Sequence, residues 1–343
     1  MSDFASLLQK EFKPQSDKAK ESVENAVRTL AEQALQGANM VSSDVLATIA
    51  PGLDNCTFVG DRLFVSSISG QLNEILPGGA LRALAHDGLQ WPMGLAMAAD
   101  GGLFVADGAY SYLYQADGTR QSLGFFFTPG HPGFARGVAA DGPGQFLVST
   151  ANGQVMRWNP AAMTSEVVSE GHGLLFGVAR AADGAAVFAC GATGRVLSAA
   201  GGETVVLAEG LDRPMGVAIA PDGAVLVGEA NGGRVVRITS HGSDTLVDGL
   251  HEPHGLAVAG SRLLVLDVAS RELLSFNLAG GDRQVLASGL PLKAPPGVTP
   301  KILGGVGTMS GPMEPFAGLA VAPDGTIYLA GDAEGSVLAL HTV

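Results

Sequence analysis

Basic residues are scarce in this 343-residue chain, and their scarcity excludes more than any motif establishes. Twenty Lys and Arg stand against 33 Asp and Glu, a net charge of −13, and no basic run occurs. Binding to nucleic acid needs a positive surface for phosphate contacts, so that class is set aside. Only two cysteines, Cys56 and Cys190, are present, too few for a disulfide framework or a CxxC metal pair. No run approaches 18 apolar residues, so no membrane-spanning helix is expected. The opening "MSDFASLLQKEFKP" has neither the basic start nor the apolar core of a secretory leader, and a cytoplasmic protein is the expectation. Charged residues make up 15% of the chain. Glycine, by contrast, is abundant at 49 residues, a composition suited to many short strands joined by tight turns.

Those strands repeat. "RPMGVAIAPDGAVLVGEANGGRVVRI" from Arg213 returns in varied form from Trp91, Phe134, Leu175, Glu252 and Pro315. The anchor glycines are Gly94, Gly137, Gly177, Gly216, Gly255 and Gly318, separated by 43, 40, 39, 39 and 63 residues, the last interval carrying an insertion. After each anchor come a short apolar strand, usually a turn containing Asp-Gly, and a second apolar strand. Two further strands follow. Asp and Gly both tolerate positive φ, which suits a tight hairpin. Four antiparallel strands every ~40 residues are the pattern of a β-propeller blade.

Cys56 takes the anchor position of a further unit, and the last unit lacks one strand. "DVLATIAPGLDNC" from Asp44 has the fourth-strand pattern, so residues near Val45 to Ile49 are expected to complete the final blade and close the ring. The expectation is an all-β, seven-bladed propeller over residues 44–343; six blades with an irregular end is the alternative count. Ahead of it lies a helical arm, residues 1–43. Ser16 can cap a helix over 17–36, Gly37 can end it, and Ala19, Val23, Ala26, Val27, Leu30 and Ala34 fall on one stripe. The arm has net charge −1, leaving −12 on the propeller.

The repeats resemble NHL-type propellers, a group that includes SMP-30/gluconolactonase-like and strictosidine-synthase-like proteins. That resemblance implies the fold, and propellers host hydrolases, lyases and binding scaffolds alike. The run "EFKP" followed by "AVRTLAEQAL" resembles the N-terminal arm of the large subunit of the type VI secretion contractile sheath, over about the first fifty residues. In that family the arm links protomers. The resemblance implies that this arm docks the propeller onto sheath or baseplate proteins, with Phe12, Val23, Val27, Leu30 and Leu35 as its contact residues.

The loops from each outer strand to the next inner strand gather on one face. They contribute Trp91, His131, Arg136, His172, Asp212, Arg213, His251, Glu252, His254 and Glu314, and the insertion Pro291 to Pro315 opens on the same side. A small-molecule ligand on this face is the expectation. "HEPHG" places His251, Glu252 and His254 together, where they could hold a divalent metal or carry acid–base chemistry; solvated loop histidines are the plain alternative. His131 and His172 could join them across the channel. The virginiamycin B lyase type resembles this arrangement in placing histidines and a glutamate on one propeller face.

Glu229 in "VLVGEANGG" resembles the position of an essential glutamate in strictosidine-synthase-like proteins. Yet the same slot holds Asp107, Thr150 and Cys190 in other blades, which favours a structural role in capping the following turn. SMP-30-like hydrolases hold a cation through oxygen ligands at inner-strand starts. Here the residues before the anchors are Asn55, Met93, Arg136, Phe176, Met215, His254 and Ala317, and only Asn55 suits that set. No resident cofactor is therefore expected. The readings together favour a binding module tied to the secretion sheath, with a lyase or lactone/ester hydrolase as the alternative.

Overall fold

The second strand of each blade explains why its residues are apolar almost without interruption. Leu103–Asp107, Phe146–Thr150, Ala186–Cys190 and Val225–Glu229 are buried at every position. Both faces of such a strand are covered by neighbouring blades, so the usual in–out alternation disappears. Fourth strands are the opposite case: Glu203–Ala208 and Gly242–Val247 each begin with four exposed residues.

In the computed structural model, described for residues 42–343 except 60, 87, 99–100, 294–296, 299–317, 323 and 342–343, these strands form seven four-stranded antiparallel sheets. The expected helix, the contact residues Phe12, Val23, Val27, Leu30 and Leu35, and Glu314 lie outside the described residues. Blades one to six run in chain order, with inner strands Leu53–Val59, Pro92–Met97, Ala135–Ala140, Leu175–Arg180, Pro214–Ile219 and Pro253–Ala259. Blade seven takes Leu319–Val321, Ile327–Gly331 and Ser336–His341 from the end of the chain. Its outer strand is Ser42–Thr48, antiparallel to Ser336–His341 with Val45 opposite Leu338. The two chain ends therefore share one sheet, as the fourth-strand pattern predicted. Inner strands pack against their neighbours all round the ring.

The anchor glycines follow from that packing. A Cβ on Gly137 would stand 2.6 Å from the Phe176 carbonyl of the next blade, and one on Gly216 would stand 2.4 Å from the His254 carbonyl. Backbones that close leave no room for a side chain. At the equivalent position of blade one, Cys56 is buried with its Sγ 3.6 Å from the Tyr328 carbonyl, and burial pushes its thiol up to about 12.

The Asp-Gly turns divide their labour differently from the expectation that both residues accept positive φ. Gly184 and Gly223 do, at 87° and 85°, while their aspartates do not. Instead Asp183 and Asp222 accept the N–H two residues on, from Ala185 at 3.0 Å and Ala224 at 3.1 Å. Glycine supplies the left-handed residue, and the carboxylate satisfies an N–H that the turn leaves over.

Candidate functional site

In four of the seven blades a carboxylate at the end of the second strand fixes the loop that leads into that blade. Asp107 Oδ1 accepts from the N–H groups of Gln90 and Trp91, both at 2.7 Å. Asp267 accepts from His251 N and Glu252 N, each at 2.8 Å, and Asp332 Oδ1 from Lys293 N at 2.7 Å. Glu229 Oε2 accepts from Asp212 N at 2.7 Å, while its Oε1 takes Arg234 Nε at 2.5 Å. These acids hold the loop before their own blade, and Asp267 accepts from Ser270 N in the following turn as well. Thr150 Oγ1, accepting from Gln154 N, caps the following turn as expected, and Ser67 Oγ does the same for Ser69 N. Glu229 is 1% exposed and belongs to this latch set by position.

The latches titrate in opposite directions. Burial pushes Asp107 from 3.8 up to about 6, outweighing the loop hydrogen bonds. Burial also raises Asp267, but backbone N–H groups of Glu252, His251 and Ser270 prevail and its carboxyl lies below the ordinary value.

The histidines do not converge. His131 Nδ1 accepts from Gly133 N at 3.2 Å, so its Nε2–H faces Ser111 Oγ at 3.1 Å, with Trp158 against the ring. Burial holds it neutral, down to about 4. His172 meets Ser169 Oγ at 2.7 Å and packs on Phe188; burial lowers its pKa also. Each joins two neighbouring blades, His131 through Ser111 of blade two and Trp158 of blade three, His172 through Ser169 of blade three and Phe188 of blade four.

His254 is different. It is 5% exposed and its Nε2–H faces Glu252 Oε1 at 3.3 Å. Arg213 Nη1 approaches the same oxygen at 3.6 Å from a left-handed backbone, φ 56°. His251 stands apart from this group, largely exposed, with Nδ1 3.4 Å from Asp267 Oδ2. Among the described residues no three His, Cys, Asp or Glu side chains converge as metal ligands.

Elsewhere on the channel a cavity of about 190 Å³ opens among the inner strands of blades one to four. Asn55, Met93, Arg136 and Phe176, each just before an anchor position, line it together with Trp91 and Asp54. Trp91 Nε1–H donates to Asp54 Oδ2 at 3.2 Å, and Asn55 Nδ2–H to the Met93 carbonyl. Of the expected ligand-face residues, the structure brings Trp91 and Arg136 to this cavity and leaves His131, His172 and Arg213 off its wall. Met93, Phe176 and Asp54 were not singled out as ligand residues. For Met93 and Phe176 the signal is the shared position just before the anchor, read only for oxygen ligands; Asp54 lies one residue before that position in its blade.

A further surface feature is aromatic. On blade two Phe127 is 75% exposed, Phe125 stacks near Tyr110 at 5.8 Å, and Phe126 meets Phe127 at 4.8 Å.

No protein-family model matches the chain. One stretch of 48 residues, 14% of the chain, is 54% identical to the type VI secretion system sheath protein TssC1 of Pseudomonas aeruginosa. The match spans a tenth of that protein's length. Among solved structures, a streptogramin B lyase superposes with TM-score 0.70 at 12% identity, covering 88% of this chain and 97% of that one. A catalytically inactive virginiamycin B lyase from Staphylococcus aureus with quinupristin gives 0.66 at 15% identity, covering 88% and 99%. YCF48 bound to D1 peptide gives 0.64 at 16%, covering 89% and 98%. The chain is a seven-bladed β-propeller. At these identities the shared property is the fold.

Proposed function

We propose that this propeller is an interaction module tied through its N-terminal arm to a type VI secretion sheath or baseplate. The observation that carries the reading is the 48-residue match at 54% identity to a sheath protein. The fold is compatible with it: among the described residues all seven blades have four strands, Ser42–Thr48 supplying the last. The exposed aromatic group on blade two adds a surface of the kind protein interfaces bury. On this reading the protein is cytoplasmic, and Phe12, Val23, Val27, Leu30 and Leu35 carry the arm's contacts. Deleting residues 1–40 leaves a folded ring and abolishes co-purification with sheath subunits; undiminished co-purification overturns the proposal.

A second reading, a small-molecule lyase or hydrolase, is favoured by the pairing of buried His254 with half-buried Glu252, a histidine and carboxylate in hydrogen-bonding range. Replacing His251 and His254 together removes turnover on a lactone and ester panel if it is right. Wild-type protein inert on that panel speaks against it.

A further inference from the structure

The polar side chains around the cavity on blades one to four are already bonded within the protein. Trp91 is held twice: its backbone N–H donates to Asp107 Oδ1 at 2.7 Å, and its indole N–H to Asp54 Oδ2 at 3.2 Å. The Asn55 amide donates to the Met93 carbonyl, and Asp54 and Arg136 each have partners of their own. What the described side chains offer an occupant is therefore mainly hydrocarbon and ring, from Trp91, Met93, Leu95, Val138, Phe176 and Val178. The volume, about 190 Å³, sets the size of that occupant. A hydrocarbon-lined cavity of about 150 Å³ admits benzene, so this one has room for about one substituted ring. Neither His254 nor Glu252 is among the described residues that line it, so the site is separate from theirs.

We propose that this cavity binds a small uncharged aromatic molecule, about one ring in size. The ionic side chains among its described lining residues, Asp54 and Arg136, are of opposite sign and already engaged. A ligand carboxylate or ammonium group would give up its hydration without gaining a counter-charge, and burial on those terms is costly. A neutral ring gains from leaving water. An aromatic ring gains more than a saturated one, because rings at Trp91 and Phe176 and the Met93 thioether add contacts beyond area burial. The two hydrogen bonds on Trp91 fix one wall in advance, which lowers the ordering cost of binding. The inference is independent of the sheath-linked reading and survives its failure.

The test uses the full-length protein and toluene as probe, with benzoate, benzylamine and methylcyclohexane as comparison ligands at neutral pH. Titration calorimetry follows binding, and a rise in melting temperature with ligand concentration checks it, since a ligand of the folded state stabilises that state. Toluene is expected to bind saturably. Benzoate and benzylamine should be weaker by about tenfold or more, the cost of burying a charge without a partner. Methylcyclohexane should be weaker by about two- to tenfold, the loss of ring contacts. Met93→Phe places part of a ring in the same space and is expected to weaken toluene by about tenfold, at an unchanged melting temperature of the free protein. No saturable heat from toluene up to about 3 mM, where a site of millimolar affinity is mostly filled, overturns the proposal. So does binding of benzoate, benzylamine or methylcyclohexane as tight as that of toluene, or undiminished toluene binding by folded Met93→Phe. The wild-type comparison needs no variant and decides the matter even where Met93→Phe fails to fold.

Discussion

Asp107 holds Trp91 in place through a single oxygen: Oδ1 accepts the Trp91 and Gln90 N–H groups together, at 2.7 Å each, while Oδ2 is buried without a hydrogen-bond partner among the described residues. An amide side chain in the same pose keeps that acceptor and carries no charge.

Asp107→Asn should therefore flatten the stability profile in mild acid. The folded-state pKa, about 6, lies above the ordinary 3.8. The folded protein thus holds the proton more tightly, and the stability this contributes is complete below about pH 4 and lost as pH rises through about 6. The change amounts to about 3 kcal/mol at 1.36 kcal/mol per unit. Urea unfolding of wild type and Asp107→Asn across this range should show the wild type losing ground to the variant as pH rises. A constant difference at all pH values refutes the assignment.

Asp267→Asn should behave in the opposite way. Here the two N–H groups are divided, His251 N on Oδ2 and Glu252 N on Oδ1, so an amide turns an NH₂ toward one of them. The depressed folded-state pKa means the carboxylate stabilises above its ordinary titration range, and that contribution is lost as pH falls through the folded value. The variant should lose about 1–3 kcal/mol at neutral pH, the cost of an unsatisfied buried group. Its deficit should shrink in acid. Urea unfolding at pH 7 and in acid checks both statements.

Residues 107 and 267 show where reading the sequence reaches its limit. The repeat placed both at the end of a second strand, and the ring and its closing strand followed from anchor spacing and one orphaned fourth-strand pattern. These are local or periodic signals. Which loop N–H groups each acid meets depends on the path of a segment some sixteen residues earlier, Trp91 for Asp107 and His251 for Asp267. The same reason hid the cavity. Met93 and Phe176 are ordinary apolar residues until ring curvature aims their register position inward, and His131 and His172 look like face residues until Ser111 and Ser169 take them.

Removing the closing strand should unlatch the ring. Deletion through residue 40 leaves Ser42–Thr48 intact; deletion through Ile49 removes that strand and the packing of Leu46, Ala47 and Ile49 in the core shared with Val337 and Ala330. The melting temperature of the first truncation is the reference. The second should lower it by about 10 °C or more, since several kcal/mol of burial is lost at roughly 2–4 °C each. Equal melting of the two truncations, followed by circular dichroism, rules out closure by this strand.

Gly137→Ala should couple the fold to the cavity. Ser149 Oγ lies between the strands of two blades, accepting from Gly137 N at 2.9 Å and donating to the Phe176 carbonyl at 3.0 Å. A methyl group on residue 137 would meet both, the carbonyl at 2.6 Å and the hydroxyl at 2.9 Å, and the carbonyl is backbone that cannot swing aside. The inner strand of blade four must then move outward and carry Phe176, a cavity wall, with it. Overpacking of this kind costs about 1–3 kcal/mol. Ser149→Ala, which removes the bridge without adding bulk, should cost about 1 kcal/mol, one buried hydrogen bond, and leave Phe176 where it is. A Gly137→Ala protein with wild-type stability would mean that the inner strands are not held at this separation, and the physical reason for the anchor glycines would fall with it.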